Sequence, residues 1–183
     1  MGGYFYSVSS LPHLSFDSIS TMAVEDFLFL CQNTLSGGDW AVLREARLRS
    51  PADLKTGNKT LDAWFAGERS MRAELAKLRA ARRGAETESY NRYAAYSQGI
   101  LDAARKAFGE ESPSEAEIII LRALWAFLEE LEMGHLFDVD KLIVYYLKMQ
   151  LLELKNRRNR AAGEKNFSVL YETIANKNPS WQG

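Results

Sequence analysis

The stretch that decides the fold is VDKLIVYYLKMQLLEL, from Val139 to Leu154. Between residues 142 and 154 only Lys148, Gln150 and Glu153 are strongly polar. When the stretch is wound as a helix, apolar side chains cover most of its circumference, so several neighbouring elements are needed to bury it. It is too short, and too often interrupted by charge, to cross a bilayer. We therefore predict a central helix that is enclosed by a helical bundle.

The composition of the whole chain is that of an ordinary globular domain. Its 183 residues fit a single domain, with 46% hydrophobic and 26% charged residues. The net charge of −1 does not favour general attraction to nucleic acid or anionic lipid. Cys31 is the sole cysteine, so no intramolecular disulfide can form, and we expect its thiol to be buried and inert. The first residues lack the pattern of a signal peptide, and we expect a cytoplasmic protein.

Apolar periodicity and helix start signals predict an all-α bundle of six or seven helices. Ser36 and Asp39 resemble a capping box, and the sequence from Ser112 to Glu115 is a clear one, with proline at the first helical position. The aromatic stretch from Tyr4 to Ser10 favours a short extended arm. Gly163 is expected to break the chain into a last helix. The predicted helices span residues 21–33, 36–49, 60–83, 86–108, 112–133, 139 to Gly163, and 164–176.

The two predicted helices between residues 60 and 108 carry many charges around narrow apolar stripes. Gly84 is expected to end the first of them. Such stripes are typical of a projecting hairpin or of a solvated flank. We treat this region as part of one helical domain that covers residues 1–183.

The sequence shows no pattern that predicts catalysis or a cofactor. Glu132 and His135 have the Glu-x-x-His spacing of di-iron bundles, but such sites need a second copy, and His13 lies outside any predicted helix. The neighbouring charges of Glu129, Glu130 and Glu132 are interpreted as a solvated face. Nucleophile elbows, zinc spacings and phosphate-binding loops are missing from the sequence. We expect no metal, no cofactor and no small-molecule substrate. We also expect no enzyme, because an enzyme would need polar groups converging in a pocket.

A basic run follows the central stretch. Cations near the C-terminal end of a helix complement its dipole, which is one explanation for this run. The same charges are candidate anchors for a partner protein. The residues concerned are Lys155, Arg157, Arg158 and Arg160.

Two blocks of the sequence resemble a known family. The first, from Tyr4 to about Asp39, contains YFYSVSSLPHLSFD and VEDFLFLCQNTLSGGD, and the second runs from Phe137 to Phe167. Both resemble an uncharacterised bacterial family whose genes lie among those for A/V-type ATP synthases. The resemblance implies a helical protein that is associated with a V-type ATP synthase, at the membrane periphery.

The second block is also distantly similar to the C-type component of those synthases (the d-type in eukaryotes), an all-helical socket between rotor ring and central shaft. The similarity rests on Tyr145, Lys148 and the run Asn156-Arg157-Arg158. The chain is about half as long as a full socket protein of this type, a size that allows one helical wedge but no closed socket.

The resemblance implies a non-catalytic accessory or stalk-like component that acts by helix packing against the other proteins of the synthase. The alternative is a stand-alone adaptor or nucleic-acid-associated protein that uses the charged region around residues 69–105. The second hypothesis predicts binding that weakens steeply with salt.

Overall fold

The computed structural model describes residues 2–18, 22–50, 54–88, 90 and 97–177, and within these ranges the side chains of residues 4–158. The described part contains seven helices and is all-α, as the sequence predicts. None of these helices combines the length and the apolar character that a membrane crossing requires. The helices are α1 (Gly2–Ser9), α2 (Val24–Thr34), α3 (Gly37–Glu45), α4 (Lys59–Arg82), α5 (Gln98–Gly109), α6 (Pro113–Glu132) and α7 (Val139–Lys177).

The first half of α7 is the centre of the bundle, which confirms the role predicted for the segment after Val139. Its apolar side chains are almost completely shielded from solvent because α2, α3, α4 and α6 all pack against it. Stacked aromatic rings join it to α2, where Phe27 lies 5.4 Å from Tyr145 and 5.6 Å from Tyr146 between ring centroids. The buried set is Leu142, Ile143, Val144, Leu147, Met149, Leu151 and Leu152.

Helices α6 and α7 pack against each other as an antiparallel hairpin in the core. Ser112 accepts a hydrogen bond from the Glu115 N–H and so caps the start of α6. The turn passes through Gly134, whose φ of +87° is favourable for glycine. Asp138 then caps α7, because its Oδ1 accepts the Lys141 N–H at 2.9 Å.

The two described helices of the charged region, α4 and α5, run parallel, whereas the helices of a hairpin run antiparallel. A Cβ at Gly67 would lie 3.0 Å from Ile100 Cδ1, while further along both helices the Arg82 guanidinium lies 5.9 Å from the centroid of the Phe108 ring. Both helices also pack against α6. The predicted start of the second charged helix, at about Glu86, is wrong, because α5 begins at Gln98. Residues 89 and 91–96 lie outside the described ranges.

The N-terminal segment is a helix rather than the extended arm that its aromatic sequence favours. Tertiary bonds explain the difference, since the Tyr4 hydroxyl donates to Asp39 and the buried Ser7 hydroxyl donates to Thr34 Oγ1 at 2.7 Å. Residues three apart fall on one helical face, so helix formation brings both donors to α2 and α3. These contacts outweigh the weak local β-propensity.

Two predicted helix ends are also wrong. Helix α3 stops at Glu45 instead of about residue 49, because the Ala46 and Arg47 carbonyls accept hydrogen bonds from Gln150 and Trp64 at 3.0 Å each. Helix α7 continues through Gly163 to Lys177. A glycine inside a helix costs about 1 kcal/mol but does not forbid it, and good helix formers flank this one.

Candidate functional site

A cleft of about 490 Å³ separates α1 and the loop that follows it from α6 and α7. Apolar side chains from α1 and the loop line one side, and the other side is polar. The apolar wall consists of Val8, Leu11, Pro12 and Leu14, and the polar wall of Glu129, Glu132, Lys141, Tyr145 and Lys148, with exposed His13 at the edge. Converging ionisable groups of this kind are not expected from the sequence.

Three charges meet at the floor of the cleft. Lys141 and Lys148 donate to the two oxygens of the same carboxylate, that of Glu132. Lys148 is only 7% exposed, and its Nζ also lies 5.2 Å from the centroid of the Trp125 ring, a cation–π distance. A buried ammonium needs such partners because an unpaired charge is very costly in the interior.

The ionisation of Glu132 follows from its neighbours. Burial by itself raises the pKa of this carboxyl, but the hydrogen bonds and positive charges of Lys141 and Lys148 outweigh burial and lower the pKa below its ordinary value. Burial raises the pKa of Tyr145 to about 12, and its hydroxyl donates to the Pro12 carbonyl at 2.9 Å. The cleft therefore holds an ionised Glu132 paired with two cations, next to a neutral phenol.

Glu132 and His135, the pair with metal-ligand spacing, have separate partners. Glu132 faces the lysines, whereas His135 Nδ1 lies 2.7 Å from Asp138 and 3.9 Å from Asp140. His135, Asp138 and Asp140 place one ligand atom each within 4.8 Å of one another. Both carboxylates already have structural roles, since Asp138 caps α7 and Asp140 accepts a hydrogen bond from Asn58 at 2.9 Å. These contacts explain His135, Asp138 and Asp140 as a structural cluster that stabilises the turn between α6 and α7.

Large apolar side chains are exposed where this turn meets α1, and we call this surface the apolar end. The Phe5 and Phe137 rings lie 4.8 Å apart between centroids, yet they remain 58% and 48% exposed. Met133 and Leu136 are 74% and 70% exposed. Exposed apolar side chains of this size make the apolar end a candidate interaction surface.

The described side chains of the basic run, those of Lys155, Arg157 and Arg158, have different surroundings. Lys155 is buried, donates to the Phe16 carbonyl and lies 4.7 Å from the Phe16 ring centroid, so it is not placed to anchor a partner. Arg157 is exposed and forms a 3.4 Å ion pair with Glu153, and Arg158 pairs with Glu117. The side chain of Arg160 lies outside the described residues.

Cys31 has the buried position that the sequence predicts. Its side chain has no solvent exposure, and burial raises the pKa of the thiol to about 12. A thiol in this state is a poor nucleophile because the thiolate is the reactive form.

One sequence signal could have revealed the cleft. Lys148 is a charge inside an otherwise apolar run, and a lysine in a buried helix requires a carboxylate partner. The identity of that partner was hidden, because Glu132 lies 16 residues earlier on another helix. The apolar end was also missed, since its members are separate in sequence.

Comparison with protein-family models, with curated proteins and with solved structures finds no match to this chain.

Proposed function

We propose that this chain is a non-catalytic helical component that acts by packing against other proteins, and that its partners are proteins of a V-type ATP synthase. The observation that carries the packing role is the apolar end, formed by Phe5, Met133, Leu136 and Phe137. Exposed aromatic and methionine side chains are typical of the centre of a protein–protein interface.

The resemblance of the two sequence blocks supports the choice of partner. The blocks are remote in sequence but pack together, since Phe16 of the first accepts the Lys155 hydrogen bond and Phe27 stacks on Tyr145 of the second. Phe5 and Phe137, one from each block, meet at the apolar end. The family likeness and the exposed surface thus involve the same part of the molecule.

The cleft supports binding rather than catalysis. Glu132 is held by two ammonium groups, and the Tyr145 hydroxyl is committed to the Pro12 carbonyl with a raised pKa. A general base needs a pKa near the working pH and access to the proton that it removes. The lowered pKa of Glu132 does not meet the first condition.

The test is affinity capture of the tagged full chain from native lysate, followed by identification of the captured proteins by mass spectrometry. We expect synthase proteins with the wild-type chain, and their loss with the double substitution Phe5→Ser and Phe137→Ser. Phe29→Ser is the matched control, because Phe29 is 71% exposed but lies on α2. Capture that never contains a synthase protein would overturn the proposal.

A basic groove supports the alternative, a stand-alone adaptor or nucleic-acid-associated protein. Arg79, Arg82 and Arg83 line a groove of about 450 Å³ with Ala107 and Phe108 at the end of α4. Among the described side chains, these three arginines form no ion pair within 4.0 Å. Nucleic-acid binding at this groove would weaken steeply with salt. A gel shift at low salt with wild type, abolished by Arg79→Gln and Arg82→Gln together, would favour this function.

A further inference from the structure

The cleft beside Glu132 has the size and the two-sided character of a small-molecule site. Its volume of about 490 Å³ falls within the range of ligand pockets, roughly 300–1,000 Å³. Val8, Leu11 and Leu14 offer an apolar wall opposite the ionisable floor. A ligand that is apolar at one end and charged at the other would match both walls.

The charges at the floor favour an anion. Two ammonium groups share the Glu132 carboxylate, which leaves an excess of one positive charge in this cluster. Each ammonium has three N–H donors, so Lys141 and Lys148 retain donors beyond those used on Glu132. A cationic ligand would have to compete with both lysines for Glu132.

The second carboxylate of the lining limits the charge that the site accepts. Glu129 accepts the Trp125 indole N–H at 2.8 Å, and among the described side chains it forms no ion pair within 4.0 Å with Lys141 or Lys148. A doubly charged phosphate would therefore meet two carboxylates in a partly enclosed site. Lys141 and Lys148 balance the charges of Glu129 and Glu132, so the lining as a whole is neutral. A singly charged group beside the two ammonium groups therefore meets less repulsion from the carboxylates than a doubly charged one.

We propose that this cleft binds a small monocarboxylate with an apolar tail. The carboxylate lies beside Lys141 and Lys148, where charge-assisted hydrogen bonds stabilise it. The tail lies along Val8, Leu11 and Leu14. This site is separate from the apolar end and does not depend on the partner proposed above.

Titration of the full chain with hexanoate tests this assignment, with hexanamide as the neutral ligand of matched shape. The readout is the Trp125 indole N–H resonance in ¹H–¹⁵N spectra, because this group bonds to Glu129 at the edge of the cleft. The chain has four tryptophans, so Trp125→Phe identifies the signal. We expect saturable shifts with hexanoate, and affinity for hexanamide that is lower by about tenfold.

Two substitutions test whether the cleft recognises the charge of the ligand. Lys141→Met removes one ammonium from a partly exposed position and should weaken hexanoate by about tenfold. Glu129→Gln keeps an acceptor for the Trp125 N–H while removing a negative charge, so it should tighten hexanoate binding. The indole N–H signals of the four tryptophans should remain dispersed in both variants, which shows that each variant is folded.

Several outcomes would overturn the proposal. Equal shifts with hexanoate and hexanamide would mean that the cleft recognises only apolar bulk. Tighter binding of inorganic phosphate than of hexanoate would mean that the ligand class is wrong. Absence of any Trp125 shift, or hexanoate affinity unchanged by Lys141→Met, would mean that no carboxylate binds beside the lysines.

Discussion

Gly67 on α4 and Phe127 on α6 lie so close that a Cβ at residue 67 would stand 2.8 Å from Phe127 Cζ. Phe127 is buried and stacks on Trp64 with ring centroids 6.2 Å apart. The missing side chain at residue 67 therefore sets how closely α4 approaches α6. Small residues at such crossings allow helices to pack at short distance.

Gly67→Ala should destabilise the protein although alanine is the better helix former. Overpacking of a buried ring costs about 1–3 kcal/mol, whereas the gain in helix propensity is about 1 kcal/mol. We expect a net loss of up to about 2 kcal/mol in the free energy of unfolding, measured by denaturant titration.

Gly99→Ala in α5 is the control, because Gly99 is exposed and its Cβ would meet Ser97 Oγ at an ordinary 3.7 Å. Its stability should be unchanged or higher. The companion change Phe127→Leu should reduce the cost of Gly67→Ala by giving the new methyl room. If both alanine substitutions stabilise equally, the close approach of α4 and α6 is not as described.

Leu147→Asp should cost several kcal/mol, because residue 147 is fully buried on α7 and the new carboxylate would have no partner. The milder Leu147→Ala should cost about 2–5 kcal/mol through loss of packing. Leu136→Asp, at a residue 70% exposed, should change stability by less than about 0.5 kcal/mol. Melting temperatures of the three variants check the order; an unchanged value for Leu147→Asp would place α7 at the surface.

The Glu132 cluster should make stability depend on pH in the acid range. The pKa of Glu132 is lowered from 4.5 in the folded state, so its contribution is complete above 4.5 and is lost as pH falls through the folded value. Glu132→Gln should cost about 3 kcal/mol near neutral pH by leaving two lysines without their carboxylate. The difference in free energy of unfolding between wild type and variant should shrink as pH falls below 4.5. A difference that is constant with pH would mean that Glu132 is not an ionised partner of the lysines.

Cys31 should react with thiol reagents only when the protein opens. Its side chain is fully buried, and its pKa is raised to about 12, so little thiolate exists near neutral pH. We expect labelling of the native chain to be at least about a hundredfold slower than labelling in denaturant. Stopped-flow or absorbance assays with a chromogenic disulfide measure both rates, and similar rates would contradict the burial of Cys31.

Local patterns were sufficient for much of the fold. The burial of α7 was predicted because periodicity within one helix reports which faces must be covered. The caps at Ser36 and Ser112 were predicted because each bond joins residues three apart. The packing of the charged region between residues 60 and 108 was harder to predict. Its apolar stripe does not show which helix it packs against or whether the two helices run parallel or antiparallel.

The sequence by itself determined that the chain is helical, where several helices begin, and that the segment around Leu147 lies inside. Only the tertiary structure decided that α1 is a helix, that α4 and α5 run parallel, and that Glu132 meets Lys148 in the polar wall of a cleft. The physical reason is range: helix periodicity and capping depend on residues within a few positions. The partner of a buried lysine, and the ring that fills the space beside Gly67, depend on which helices meet.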